Sequence, residues 1–324
     1  MRPPRRYNDR ASMPGSDLRA FASVLDWLLR GDARLERDSG AMRDLDARRH
    51  GLPLPPGLSL RWLGTAGFAI GYQDHVLLID PYLTRTSARD ALFGRRALRA
   101  DPALIDRHVP SASAVLVGHT HFDHALDIPE IARRRGCKAY GSRSLAHLMG
   151  LHGLPDRAVE VEHGRRYEIG PFEVTFVDSL HSKLLLGRAI PSDGELTCDH
   201  LDGLHGGNYR CGQVYGIRIA VAGVTFFHLG SAELIEDRLP WREVDYLLLG
   251  IAGRSFSRDF TRRALSALSP RYVVPHHYDD FFRPLHAPLR FSFNVQFAGF
   301  VDEVASVSRE FELRTLEPLR VIGG

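Results

Sequence analysis

From Leu58 onward the apolar residues come in short runs, each closed by glycine, proline or a charged residue: LSLRWL, FAIGY, HVLLID and SASAVLV. Runs of that length and punctuation predict strands, with GTAG at 64–67 and QD at 73–74 as turns between the first three. DIPEIARRRG then predicts a helix, because Pro129 suits a first turn and Gly136 stands where a helix stops. CKAYG reads as a strand and SRSLAHLMGLHG as a helix. A second block of strands, VEVEH, RRYEIG and FEVTFVDS, precedes a Gly-, Asp- and His-rich loop from about residue 187 to 213. VYGIRIAV, VTFFHLG, DYLLLG and RYVVP follow, with SFSRDFTRRALSALS helical between the last two. Two blocks of hairpin-connected strands, each followed by strand–helix units, predict an α/β protein in which two sheets pack together with helices outside.

Residues 1–57 read differently. Ser16 or Asp17 can cap a helix with Leu18, Phe21, Leu25, Leu28 and Leu29 on its apolar face, and PLPPG at 53–57 closes the segment. We expect an N-terminal helical extension over 1–57 and one main domain over 58–324. Asp17, Asp26 and Asp32 interrupt the helical stretch, which favours a packing helix over one lying on a membrane.

Composition narrows the class. With 44% hydrophobic and 25% charged residues the 324-residue chain is expected to be globular. The formal charge of +3 is mild, no dense Lys/Arg patch with interleaved aromatics is present, and nucleic acid is not an expected partner. Cys137, Cys198 and Cys211 make an odd set that argues against a secreted disulfide scaffold. No apolar run approaches the ~20 residues of a membrane span, so a cytoplasmic location is expected.

The chemistry concentrates at GHTHFDH, residues 118–124. In an extended chain residues two apart point the same way, so His119 and His121 can present two imidazoles to one point. Asp123 and His124 fall in the turn that follows, within reach of a second point. Other runs end in the same chemistry: His181 follows FEVTFVDSL, and His276-His277 follow RYVVP. Imidazole and carboxylate suit a borderline cation such as zinc, with manganese or iron compatible, and a buried cluster of this kind without a cation would need a partner for each polar group.

In their order, WLGTAGFAI, VLLIDPYL, GHTHFDH, SLHS, FFHLGS and VVPHHYDDF resemble the metallo-β-lactamase-fold hydrolase superfamily, in particular its branch near bacterial lactonases and the N-acylphosphatidylethanolamine phospholipase D type. The resemblance covers roughly residues 58–320. It implies a four-layer αββα sandwich with one or two divalent cations at the rim between the sheets. His119, His121 and His181 match its first metal site, and Asp123, His124 and His277 its second; His277 rather than His276 matches because it directly precedes the aromatic Tyr278. Asp80 matches an acid that holds the cluster from behind, and His228 is expected to pack near it. One departure stands out: where the family carries a bridging aspartate, this chain has Gly230-Ser231-Ala232. Glu233, Asp199 and Asp202 are the candidates to replace it.

The activity implied is hydrolysis of an ester, lactone or phosphodiester by water that the cation has acidified, with Asp123 orienting that water and moving its proton. A small or amphipathic substrate is the expected partner, and peripheral membrane contact is not expected. Lys183, Tyr278 and Asp279 are candidate substrate contacts. Cys198, Asp199, His200, His205 and Cys211 lack the spacing of a separate zinc site. A metal-stabilised binding or sensor protein, suggested by Ser231, and a nuclease are the competing readings.

Overall fold

A computed structural model of the chain describes residues 24–25, 31–184 and 188–324. Most of the helix expected from Ser16 or Asp17 therefore lies outside the described residues. Among the described residues, fourteen strands form two sheets of seven. The first takes its strands in the order β14 (Val321–Gly323), β1 (Leu58–Gly64), β2 (Gly67–Tyr72), β3 (His75–Ile79), β4 (Ala114–Leu116), β5 (Lys138–Gly141) and β6 (Ala158–Glu160). The second takes β13 (Glu312–Leu313), β12 (Tyr272–His276), β11 (Tyr246–Gly250), β10 (Val224–Leu229), β9 (Val214–Val221), β8 (Phe172–Ser179) and β7 (Arg166–Ile169).

Alternation along the strands explains the layering. In β1, β2 and β3, Leu58, Leu60, Trp62, Phe68, Ile70, Leu77 and Ile79 enter the core shared with the second sheet. Their neighbours Leu63, Ala69 and Leu78 face the opposite way, into a second core under the outer helices. A strand buried on both faces reads as an almost continuous apolar run, the pattern seen in LLID and AVLV. α6 (Ile128–Arg135) covers that outer face with Ile128, Ile131 and Ala132, and it stops at Gly136, which adopts the left-handed conformation at φ 68°. On the other sheet α8 (Phe260–Leu268) buries Phe260, Ala264 and Leu265. The architecture is the expected sandwich of two mixed sheets between helices, with a helical segment ahead of β1.

Three features were not expected. β4 ends at Leu116, so His119 and His121 lie in the loop beyond it rather than in the strand, and Asp123 and His124 sit on the one-turn α5 (Phe122–Ala125). α9 (Phe297–Val307) packs against α1 (Gly31–Asp44), where the buried Asp38 accepts the Ala298 N–H at 2.8 Å. β14 pairs antiparallel with β1, Ser59 opposite Gly323, and so completes the sheet edge with the last residues of the chain. Among the described residues no helix is long and apolar enough to cross a membrane.

Candidate metal centre

The strand ends converge at one rim. Gly118, just beyond β4, passes so close to Asp80 that a Cβ there would meet the carboxylate at 3.0 Å, and its N–H donates to Asp80 Oδ1 at 2.7 Å. That approach points the following residues inward. Asp80 itself is held at φ 41°, and His277, immediately after β12, at φ 57°. Such angles cost energy for residues with a Cβ and persist only where neighbours enforce them. The Asp80 N–H donates to Leu116 O at 3.0 Å and the His277 N–H to Thr65 O at 2.8 Å, which supplies that enforcement.

Two clusters of metal-ligating groups result. Single donor atoms of Asp123, His124 and His277 all lie within 4.8 Å of one another, as do those of His119, His121 and Cys211. His181 stands beside the second of these, its ring centred 5.0 Å from His119 and 4.8 Å from His121. The clusters adjoin: the His119 and His124 ring centres are 3.8 Å apart. All the residues named are buried.

Hydrogen bonds fix the proton on several rings, because a carbonyl can only accept. His121 donates from Nε2 to Pro191 O at 2.8 Å and His181 from Nδ1 to Ser182 O at 2.7 Å, so their other nitrogens carry lone pairs. His124 donates from Nδ1 to Asp80 Oδ2 at 2.8 Å, which leaves Nε2 toward Asp123, 3.8 Å from its Oδ2. This carboxylate–imidazole pairing is how proteins orient and strengthen a histidine donor. His277 Nε2 lies 3.2 Å from Asp123 Oδ2.

The electrostatics of the two clusters differ. Burial, aided by neighbouring histidines, pushes His119 well below the usual imidazole range, His121 to about 4 and His181 to about 3. They are neutral donors at neutral pH. Burial acts against protonation of His124 too, but the carboxylates of Asp123 and Asp80 outweigh it and raise that ring. Burial would raise the Asp123 carboxyl, yet His124 and His277 hold it below the ordinary carboxylate range. Orphaned buried nitrogens, His119 Nδ1 and His277 Nδ1 among them, and a donor set of imidazoles with one carboxylate fit divalent cations.

Residues 75–278 match the family model described as a beta-lactamase superfamily domain. The chain belongs to that superfamily. A superfamily relative from Anaeromyxobacter dehalogenans (strain 2CP-C), called UPF0173 metal-dependent hydrolase, is 29% identical over 274 residues, 81% of this chain and 85% of its own. One from Thermococcus onnurineus (strain NA1), with the same description, is 27% identical over 68% of this chain and 85% of its own. Solved structures share the fold: Igni18, a metallo hydrolase from Ignicoccus hospitalis, has TM-score 0.50 at 20% identity and covers 82% of this chain and 97% of its own. Isothiocyanate hydrolase from Delia radicum gut bacteria has TM-score 0.51 at 16% identity, covering 82% and 99%. This superfamily member is accordingly an enzyme, a metal-dependent hydrolase.

Several expected residues sit elsewhere than at the open side of the superfamily site. Tyr278 is sealed in the core between Trp62 and Phe297, with ring centres at 4.9 and 5.0 Å, so it cannot meet substrate. Asp279 accepts the Thr65 N–H at 2.9 Å and pairs with buried Arg85 at 2.7 Å, which makes it a clamp under the His277 turn rather than a substrate contact. Lys183 is half-buried beside His181. Ser231 donates to Leu180 O at 3.0 Å. None of the suggested replacements for a bridging aspartate reaches the cluster: Glu233 pairs with Arg263 at 2.7 Å, Asp202 with Arg99 at 3.1 Å, and Asp199 with His200 at 2.6 Å. His228 lies in the core, donating from Nε2 to Ala66 O at 2.9 Å and stacked on His276 with ring centres 4.8 Å apart.

Sequence reasoning missed three contributors. Asp127 accepts the Leu83 and Thr84 N–H groups at 2.5 and 3.0 Å and so holds the loop after Asp80. Phe281 meets His277 edge-on at 5.4 Å and, with Phe122 and Phe282, forms an aromatic wall beside it. Cys211 belongs to the site through the fold alone. A cavity of about 740 Å³ opens on the rim, with His181 and Cys211 in its wall and Asp178, Asp193, Glu195 and Asp237 among its lining.

Proposed function

We propose that this protein hydrolyses a small uncharged ester or lactone at a two-cation centre, within the part of the superfamily that holds the lactonases. His119, His121 and His181 would hold one cation, and Asp123, His124 and His277 the other. The observation that carries this is the pair of adjoining buried clusters, one neutral and one with a carboxylate. Zinc best suits the donors, with manganese or iron compatible. A divalent cation there would supply Lewis acidity, enough to polarise a carbonyl and to bring the pKa of water down toward about 7.

The remaining work falls to side chains. Asp123 is an anion within reach of both His124 and His277, placed to orient the attacking water, take its proton and pass it to the leaving oxygen. Asp80 keeps His124 in one tautomer. The aromatic wall beside His277 offers an apolar surface for the acyl part of a substrate. Among the described residues, carboxylates dominate the charged lining of the cavity, with Arg238 the one cation. Beyond the charge of the cations themselves, that lining offers a phosphate chain little positive surface, which favours esters and lactones over phosphodiesters and speaks against a nuclease.

The test is turnover of a panel of esters, lactones and phosphodiesters before and after chelation. The expected result is ester or lactone hydrolysis that chelation abolishes and added zinc, manganese or iron restores. Hydrolysis indifferent to chelation, or confined to phosphodiesters, would overturn the proposal.

A further inference from the structure

The long loop before β9 brings to the centre a side chain beyond the three imidazoles. β8 and β9 are antiparallel with Ser179 opposite Val214, so the residues just past Ser179 and just before Val214 meet at one rim. His181 is in the first position and Cys211 in the second. Backbone hydrogen bonds hold the cysteine on both sides: its N–H donates to Ser192 O at 2.9 Å, and its carbonyl accepts the Thr120 N–H at 2.9 Å and the Thr120 hydroxyl at 3.1 Å. The next residue, Gly212, has φ 63°, and a Cβ there would come within 2.8 Å of Ser144 Cβ and 3.0 Å of Thr120 Oγ1. Only glycine lets the strap lie flat against the His119–His121 turn. The Cys211 side chain, 1% exposed, is thereby set with its Sγ within 4.8 Å of a ring nitrogen of each histidine.

The two histidines mark the same point independently of the thiol. His121 presents its Nδ1 lone pair to His119 Nε2 at 3.1 Å. If His119 is protonated on Nδ1, two lone pairs face each other, an arrangement a cation relieves. If it is protonated on Nε2, the buried Nδ1 is left as an acceptor with no donor. A thiolate there would add a negative charge to the three imidazoles.

We propose that Cys211 Sγ is the fourth protein donor to the cation held by His119, His121 and His181. This rests on the metal-centre reading given above. The thiol proton leaves to solvent as the sulfur–metal bond forms, so charge and atoms balance. Four protein donors close a tetrahedral site, whereas hydrolytic sites keep an open position. The Cys211 side is then the more retentive of the two, and the open position for water falls to the Asp123, His124 and His277 side.

Cobalt(II), added to the chelated full-length protein, is the probe. The expected spectrum has visible d–d bands and a near-ultraviolet thiolate-to-cobalt charge-transfer band. Cys211→Ser keeps d–d absorption and loses the charge-transfer band, and the double variant Cys137→Ser/Cys198→Ser keeps both. Should Cys211→Ser fail to fold, X-ray absorption of the zinc-loaded natural protein decides the matter through a sulfur neighbour at about 2.3 Å. Bound cobalt or zinc with no sulfur signal, or a charge-transfer band that survives Cys211→Ser, overturns the proposal while leaving the metal centre standing. No cobalt binding at all overturns the metal-centre reading itself.

Discussion

The two halves of the centre are held by different means. Asp123, His124 and His277 rest on charged side chains: Asp80 behind His124, and the buried Arg85–Asp279 pair beneath the His277 turn. His119, His121 and His181 rest on backbone carbonyls and a strap of loop, through Pro191 O, Ser182 O and the Cys211 peptide. One half carries its own charge compensation and the other keeps its imidazoles neutral by burial. Adjoining half-sites of the same residue types can therefore differ in how a cation is attracted, and in which substitutions they tolerate.

The largest effect should come from His121→Ala. It removes a donor and its anchor to Pro191, and we expect hydrolysis to fall by roughly a thousandfold or more with the fold retained. Circular dichroism and a metal count on the variant check this, and full activity would erase the distinction between the halves. Acidity should come next. His121 and His228 titrate near 4 and His181 near 3 in the folded chain, against an ordinary 6.5. Folded-state values below unfolded ones give stability that is present above 6.5 and lost as pH falls toward 4, because the unfolded chain binds more protons in that window. The raised His124 acts in a different window: its contribution is complete below 6.5 and is lost only as pH rises above it. Chelated protein should lose several kcal/mol over the window, at up to about 1.4 kcal/mol per pH unit for each such ring. Urea unfolding at stepped pH measures it, and a flat profile would break the contrast.

Arg85→Met leaves Asp279 as a buried, unpaired charge. A cost of roughly 3–5 kcal/mol is expected in urea unfolding, and a neutral outcome would mean that the clamp is dispensable. Asp80→Asn is the mildest of the four. It should weaken cation affinity about 10–100-fold at the Asp123 half and spare the other, as measured by competition with a chelator.

Much of this was legible before folding. Apolar runs doubly buried between sheet and helix stand out in β1 to β4, and GHTHFDH announces a cluster of donors whatever its neighbours. What stayed hidden depends on pairing at a distance. Nothing local says that β14 closes the sheet edge beside β1, or that α9 docks on α1 through Asp38. Cys211 looks like any loop cysteine until the Ser179–Val214 register brings it beside His181. Tyr278 and Asp279 misled for the same reason: adjacency to His277 in sequence suggested a common face, but the left-handed turn at His277 sends them into the core and onto Arg85. The missing bridging carboxylate was readable at Ser231, whereas the engagement of Glu233 with Arg263 was not.

The most direct test is elemental analysis of the purified, unchelated protein together with His121→Ala. The account predicts about two divalent cations per chain, falling toward one in the variant after dialysis against a weak chelator, because the imidazole half has lost a donor while the Asp123 half keeps all of its own. No cation in the natural protein, or a single one that survives His121→Ala, would contradict a centre built from two half-sites.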